Sequence, residues 1–260
     1  MKILFIGDII GNPGRKAVKD GLPDLIGKLK IDFVIANAEN AAGGFGITQS
    51  VGEELLSLGI HVLTSGNHIW DKKEAVTYIV KENRLLRPAN YPPGVPGFGS
   101  LVMNGPSGDK IAILNLSGRV FMSQMDCPFR TAQKEIAELR KQTSTIIVDF
   151  HAEATSEKSA IAWFLDGEVS AVIGTHTHVQ TADEKILPKG TAFITDVGMT
   201  GPVDSIIGVK KEQIIQKFLN QIPVRFETAK GQTLLSCAVL EVNPRTGLST
   251  SIQRLQLTFD

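Results

Sequence analysis

Short apolar runs rich in β-branched residues alternate with longer amphipathic segments over most of this chain. The apolar runs, which predict strands, are KILFIG (2–7), DFVIAN (32–37), HVLTS (61–65), KIAILNL (110–116), STIIVDF (144–150), SAVIG (170–174) and TAFITD (191–196). The amphipathic segments, which predict helices, are 15–29, 49–58, 71–82, 130–142, 156–165 and 210–219. This alternation is typical of βαβ units, whose sheets are covered by helices on both faces.

The end of the chain follows a different pattern. Two strand-like runs, 234–242 and 250–259, flank a PRTG turn and predict a hairpin. The segment 87–100 is rich in proline and glycine, which predicts a surface loop. A chain of 260 residues is long enough to bury one full core, and no internal repeat divides it. We therefore predict one α/β domain over residues 1–260, built on mixed sheets.

Composition and charge limit the classes of partner. Apolar residues make up 42% of the chain and charged residues 21%, as in ordinary globular proteins. Lysine plus arginine number 27, and aspartate plus glutamate also number 27. This balance gives no electrostatic reason to expect long nucleic acid or a membrane surface as the main partner.

The N-terminal segment and the two cysteines indicate in which cellular compartment the protein is expected. The opening MKILFIGDII begins like a signal peptide, but Asp8 interrupts the apolar run and no small-residue cleavage site follows. No apolar run approaches the roughly 20 residues that span a bilayer. Cys127 and Cys237 lie far apart and form no C-x-x-C pair, which predicts neither a disulfide framework nor a thiolate metal site. We expect a cytoplasmic protein.

Histidines are concentrated at the ends of predicted strands. Four of the five follow directly on such a strand, where α/β proteins place their ligands. They are His68, His151, His176 and His178. In IGTHTHV (173–179), two imidazoles at spacing i, i+2 reach one metal cluster if the chain there is not regular β-structure. Imidazole is the commonest protein metal ligand, so this pattern favours a metal site.

Carboxylates and amides occupy the same kind of position. Asp8 ends the first predicted strand, Glu39 and Asn40 follow the second, and Asn67 follows the third. A buried carboxylate is costly unless a cation or a full set of hydrogen bonds compensates it. A carboxylate can bridge two cations with its two oxygens, and an amide oxygen can bind one. Beside such a cluster, His68 has the position of an acid/base group.

Each of these residues also has an ordinary interpretation, which the sequence leaves open. Asp8 is also compatible with a helix N-cap or a turn. The GTHTH segment is compatible with a surface loop, and the glycine-rich stretch 41–46 with a flexible one. His68 is compatible with a purely structural hydrogen-bonding role. Competing catalytic motifs fail: GNPGRK does not fit the phosphate-binding loop pattern, and no G-x-S-x-G is present.

Taken in order, GD, AEN, GNH, a lone His and GTHTH resemble the calcineurin-like metallophosphoesterases. That resemblance implies two mixed β-sheets packed face to face with helices outside, an α/β/β/α sandwich with a dinuclear metal site. Ile10 stands where that superfamily commonly has the His of D-x-H, and AENAAGG replaces its usual GDxxD. Both departures match the bacterial YmdB-like phosphodiesterases. MKILFIGDIIGNPGR, AENAAGGFGIT, LTSGNHIWD and IGTHTHVQT also resemble that branch, and the likeness continues beyond DVGMTGP (196–202).

The resemblance implies a role for each residue. One metal ion would be held by Asp8, Glu39, Asn40 and His178, and the other by Glu39, Asn67, His151 and His176. Glu39 would bridge the two ions, and His68 would be the catalytic acid. Oxygen and nitrogen donors suit iron or manganese and are compatible with zinc. The resemblance favours iron.

The implied reaction is hydrolysis of small phosphodiesters, above all 2′,3′-cyclic nucleotides. A hydroxide bridging the two ions would attack phosphorus while His68 protonates the leaving oxygen. Phe45 offers a ring for stacking on a base, or is simply packed or exposed. A homo-oligomer is compatible with the sequence. Two other functions stay open: a metal- and nucleotide-binding regulatory protein with slow or vestigial activity, and a metal-dependent amide hydrolase.

Overall fold

The computed structural model describes residues 1–105 and 108–260 and arranges them as two β-sheets packed face to face, with helices outside. The strands are β1 (Lys2–Ile6), β2 (Asp8–Ile9), β3 (Phe33–Asn37), β4 (Val62–Thr64), β5 (Ser100–Asn104), β6 (Lys110–Ser117), β7 (Thr145–His151), β8 (Ala171–Thr175), β9 (Lys185–Ile186), β10 (Ala192–Ile194), β11 (Met199–Pro202), β12 (Thr233–Val242) and β13 (Ser249–Phe259). The helices are α1 (Gly11–Leu29), α2 (Gln49–Ser57), α3 (Ala75–Lys81), α4 (Pro128–Leu139), α5 (Thr155–Phe164) and α6 (Lys211–Asn220).

Both sheets contain parallel and antiparallel pairs. The first has the order β2-β11-β12-β1-β3-β4, with β13 also paired to β12. In it, β1, β3 and β4 are parallel neighbours, and β12 runs antiparallel to β1. The second has the order β5-β6-β7-β8-β10-β9, in which only the edge strands β5 and β9 pair antiparallel. The mixed α/β architecture predicted from the sequence is therefore confirmed.

The first strand shows why these runs lack polar alternation. Successive side chains of a strand point to opposite faces of its sheet. Ile3 and Phe5 of β1 lie in the apolar layer between the two sheets, and Leu4 and Ile6 lie in the outer layer under α1. All four side chains are buried, because both faces of this sheet are covered.

The second sheet is built in the same way. Ile113 and Ile147 contribute to the layer between the sheets. Phe150 lies in the outer layer, together with Ile136 of α4 and Ile161 of α5. The molecule therefore has three apolar layers, one between the sheets and one beneath the helices on each side. No helix among the described residues combines the length and the apolar character needed to cross a membrane.

The elements predicted from periodicity are all present, with shifted ends. α1 begins at Gly11 instead of residue 15, and α3 begins at Ala75 instead of residue 71. The sequence did not predict the strands β2, β5, β9 and β11. The shortest of these are defined as strands only by their pairing: Asp8 and Ile9 of β2 pair with β11. Such strands are too short for a periodic signal, so only the assembled sheet defines them.

Candidate metal centre

The predicted metal ligands follow strands of both sheets and meet at one edge of the sandwich. Asp8 begins β2, and Glu39 and Asn40 follow β3. His151 ends β7 in the second sheet. Close approach of the chain at this edge depends on glycine: a Cβ on Gly66 would lie 2.0 Å from Cδ2 of the His151 ring. The remaining predicted ligands, Asn67, His176 and His178, lie in the loops after β4 and β8.

Asp8, Asn40 and His178 form a first group. The His178 Nε2 atom lies 3.7 Å from Asp8 Oδ1 and 3.4 Å from Asn40 Nδ2. On the other edge of the ring, Nδ1 lies 3.0 Å from the carbonyl oxygen of Ile207. A carbonyl only accepts, so Nδ1–H donates to it and Nε2 carries the lone pair of the neutral ring. The lone pair is therefore on the nitrogen nearest Asp8 and Asn40.

Asn67, His151 and His176 form a second group. The His151 Nε2 atom lies 3.1 Å from Asn67 Oδ1 and 3.0 Å from His176 Nδ1. Its Nδ1 atom lies 2.9 Å from Thr175 Oγ1, whose hydroxyl donates to Asp149 at 2.8 Å. Because the Thr175 hydroxyl has donated its proton to Asp149, it accepts from Nδ1–H of His151. In the neutral ring, that again leaves the lone pair on the inner nitrogen, Nε2.

Glu39 lies between the two groups and is fully buried. Its Oε1 atom lies 3.0 Å from His151 Nε2 and accepts from the Asn40 amide at 3.3 Å. Its Oε2 atom accepts from the backbone N–H of His68 at 3.0 Å. Glu39, His151 and His176 each offer a ligand atom, and these atoms lie within 4.8 Å of one another. One carboxylate therefore contacts residues of both groups.

The polar atoms of the site fit bound cations. Asp8 Oδ1 and Asn40 Oδ1 are buried, and neither has a hydrogen-bond partner within the described part of the chain. His176 Nε2 lies 3.3 Å from a Glu153 carboxylate oxygen, so its inner nitrogen, Nδ1, also carries a lone pair in the neutral ring. When His151 is also neutral, as a metal ligand must be, that lone pair faces the Nε2 lone pair of His151 across 3.0 Å. A cation bound by both nitrogens would relieve this repulsion and satisfy the orphaned oxygens.

Burial and mutual interaction displace the pKa values in this cluster. Burial raises the pKa of Asp8, and it raises the pKa of Asp149 to about 7. Burial also acts on His176, where the neighbouring His151 helps to lower the pKa to about 3. For His151, desolvation is outweighed by nearby carboxylates, Glu39 first, which raise its pKa to about 9. Strongly displaced pKa values in one cluster are typical of functional sites.

His68 borders the site without joining either group through its ring. Its Nδ1 atom lies 2.8 Å from a carboxylate oxygen of Asp71, and its ring contacts Phe45 edge-on at a centroid distance of 5.2 Å. Asp71 was not assigned a role from the sequence. The signal that was available is the spacing of three residues in GNHIWD, just after a strand. His61, the fifth histidine, lies elsewhere and accepts from the Val34 amide.

The loop that carries His176 and His178 has an unusual backbone. Both residues have positive φ, 98° and 66°, which is uncommon outside glycine. This departure from regular β-structure is the condition under which histidines at spacing i, i+2 reach the same centre. Between them, Thr177 donates to Asp196 through its backbone N–H at 3.0 Å and its hydroxyl at 2.7 Å. Buried Lys158 donates to the same carboxylate oxygen at 2.6 Å.

A cavity of about 310 Å³ opens over the site. Its polar lining includes Glu39, Asn40, His68, His176 and His178. Its apolar lining includes Ile10, Phe45, Ile207, Val209, Ile214 and Phe226. The volume lies at the lower end of the range for small-molecule sites. The sequence pointed to most of the polar lining but not to the apolar residues contributed by 207–226.

Comparisons with known proteins identify relatives along nearly the whole chain. The family described as "YmdB-like protein" matches residues 4–255 of the chain. The 2′,3′-cyclic-nucleotide 2′-phosphodiesterase of Bacillus subtilis (strain 168) is 50% identical over 100% of this chain and 98% of its own length.

Two solved structures have the same fold as this chain. A hypothetical protein from Thermus thermophilus is 40% identical, with a TM-score of 0.93 over 99% of both chains. A phosphatase from Mycoplasma pneumoniae is 37% identical, with a TM-score of 0.93 over 99% of this chain and 93% of the other. The match to the family covers nearly the whole chain, and the chain belongs to the YmdB-like protein family.

Proposed function

We propose that the chain is a phosphodiesterase that holds two metal ions and hydrolyses small diesters, above all 2′,3′-cyclic nucleotides. The observation that carries this proposal is the meeting of oxygen and imidazole donors from several strand ends at the base of one cavity. The full-length relationship to the B. subtilis enzyme makes the chain a phosphoric diester hydrolase. The substrate named for that relative supports the choice of cyclic nucleotides.

The two groups of donors support two adjacent ions. Asp8, Asn40 and His178 would hold one ion, and Asn67, His151 and His176 would hold the other. Glu39 contacts both groups and would bridge the ions, because within the described chain its carboxylate pairs with the imidazole of His151 and not with a lysine or arginine. This division agrees with the division that the family resemblance implies.

The chemistry of the donors restricts the metal. The proposed ligands are carboxylate, amide and imidazole groups, and neither Cys127 nor Cys237 is among the residues that line the cavity. Iron and manganese suit such mixed oxygen and nitrogen sites, and zinc is compatible with them. We propose iron, which the family resemblance favours.

When bound, two such ions supply a water of lowered pKa and neutralise charge that develops on the phosphoryl oxygens. The chain contributes the remaining steps. His68 holds a proton at Nε2 and passes it to the leaving oxygen of the diester, since its Nδ1 edge is taken by Asp71. Asp71 orients that ring, and the backbone N–H of His68 on Glu39 keeps the acid close to the bridging carboxylate.

The cavity favours a small substrate. Its volume of about 310 Å³ suits a compact ligand. The formal net charge of zero gives no sign of the broad basic surface that long nucleic acid requires. A cyclic diester presents its phosphorus openly to an attacking water, while its leaving alkoxide still needs the proton from His68.

The test is a substrate comparison on protein whose metal content is measured in the same sample. We expect two metal ions per chain and the highest kcat/KM on 2′,3′-cyclic AMP, compared with 3′,5′-cyclic AMP, a phosphomonoester and single-stranded RNA. Faster cleavage of RNA would overturn the small-substrate proposal, and preference for the monoester would make the protein a phosphomonoesterase. Binding of metal and nucleotide without turnover would indicate a regulatory protein with slow or vestigial activity. Hydrolysis of an amide would indicate a metal-dependent amide hydrolase.

A further inference from the structure

The cavity has one wall that the proposed chemistry does not use. Ile207, Val209, Ile214 and Phe226 line it together with the polar donors, and we call these four residues the apolar wall. They come from the turn before α6, from α6 itself and from the segment after it. Apolar side chains offer a phosphate neither charge nor hydrogen bonds, so this surface suits an apolar part of the ligand.

The turn that carries Ile207 is strained. Ile206 and Val209 exchange two backbone hydrogen bonds, of 2.9 and 3.0 Å, around Ile207 and Gly208. Both central residues have positive φ, 46° and 100°, as in a type I′ turn, which favours Asn-Gly. A β-branched residue in the left-handed region is an outlier. Strain of this kind is found at ligand-binding positions.

The apolar wall is joined directly to the metal centre. The carbonyl of Ile207 accepts the hydrogen bond from Nδ1 of His178, at 3.0 Å. The wall therefore lies next to the centre, where the group beyond the phosphate and its sugar ring can reach it. In a nucleoside 2′,3′-cyclic phosphate, ribose carries both the phosphate and the base, so that group is the base.

Phe226 is the aromatic member of the wall. Lys217 Nζ lies over one face of its ring, 4.7 Å from the centroid. Phe45, the other aromatic residue of the cavity, packs edge-on against His68 instead. The two rings therefore have different neighbours, one near the general acid and the other in the apolar wall.

We propose that the apolar wall binds the nucleobase of the substrate, with Phe226 stacking on it and Ile207 bordering it. This proposal rests on the proposed function and adds a specificity-determining surface to it. Because every base has a π-face, such a surface accepts different bases, and it favours nucleoside diesters over diesters without a base.

The test compares Phe226→Ala with wild type on two substrates, 2′,3′-cyclic AMP and the 2′,3′-cyclic phosphate of a methyl riboside, which lacks a base. We expect Phe226→Ala to lose about 5- to 100-fold in kcat/KM on the nucleotide and less than about twofold on the base-free diester. Ile207→Gly, which relieves the backbone strain, should show the same selectivity with a smaller loss. Phe218→Ala is the matched control, because Phe218 is exposed on α6 and does not line the cavity.

Equal losses on both substrates, or none on either, would overturn the role of the wall. Phe45→Ala should lower both rates by the same factor, and a loss confined to the nucleotide would assign base binding to Phe45 instead. If the wild-type protein hydrolysed neither diester, the proposed function would be contradicted. A measurement of ligand binding would then still test the apolar wall. In calorimetry, wild type should bind adenosine 3′-phosphate more tightly than inorganic phosphate. Phe226→Ala should bind the two with similar affinity, and an undiminished preference for the nucleotide would contradict the wall.

Discussion

Lys158 Nζ donates to Asp196 Oδ2 at 2.6 Å, and both side chains are fully buried. The same carboxylate oxygen accepts from the backbone N–H and the hydroxyl of Thr177, between His176 and His178. Its other oxygen accepts from the Gly198 N–H at 2.8 Å. The ion pair therefore fixes the loop that presents two proposed ligands, although neither of its members faces the cavity.

Replacing Lys158 by Met should strongly destabilise the protein. The change leaves the Asp196 carboxylate buried without its cation, and breaking one partner of a buried pair costs about 3–5 kcal/mol. Urea unfolding of the metal-free protein measures this loss. Lys141→Met is the control, because its pair with Glu138 is largely exposed and should contribute well under about 1 kcal/mol. Equal stability of the two variants would contradict the role assigned to Lys158.

Glu39→Ala should lower the metal content of the purified protein, because each proposed ion loses a charged donor. Elemental analysis after dialysis measures the number of ions per chain. Glu138→Ala, on the exposed surface of α4, should keep full occupancy. Retention of two ions per chain by Glu39→Ala would show that Glu39 does not bridge them.

His68→Ala should keep its metal ions and lose activity. Loss of a general acid lowers the rate by about 10²–10⁴ on a diester with a poor leaving group. The loss should shrink on a nitrophenyl ester, because nitrophenolate leaves without a proton. Asp71→Asn should show the same dependence on the leaving group with a smaller loss, since it only orients the ring. Equal losses on both kinds of ester would contradict the acid role.

Gly66→Ala should disturb the centre without adding any charged or polar group. A Cβ at Gly66 would lie 2.0 Å from the His151 ring, so the ring or the loop must move. We expect reduced metal content and reduced thermal stability. Gly27→Ala in α1 is the matched control, because a Cβ there meets none of the described atoms within 4 Å. That change should leave the metal content unchanged and be neutral or stabilising by up to about 1 kcal/mol. Full metal binding by Gly66→Ala would mean that His151 tolerates displacement.

The most informative sequence signals were the local periodicity of apolar residues, which predicted the strands, and the polar residues at strand ends, which predicted the ligands. Runs such as KILFIG and STIIVDF are apolar on both faces, which indicates buried strands before any contact is known. A polar residue just after such a run, as at Asp8 or His176, marks the carboxyl end of a strand. The structure brings all the predicted ligands together, and their roles as ligands stay predictions. Asp71 and Glu153 were missed, because a carboxylate on a loop has no periodic signal that distinguishes it from a solvated one.

The sequence by itself determined the alternation of strands and helices, the positions of the donors along the chain and the family. These depend on neighbouring residues and on motifs that are continuous in the chain. Residue spacing did not determine which donors meet, because that depends on how the two sheets pack. The family resemblance implied the two groups, and only the tertiary structure brings their members together. Asn40 and His178, for example, are separated by 138 positions but lie 3.4 Å apart. The tautomer of His178 and the position of the apolar wall were likewise decided by the tertiary structure. Both depend on the fold, which brings Ile207 beside the loop after β8.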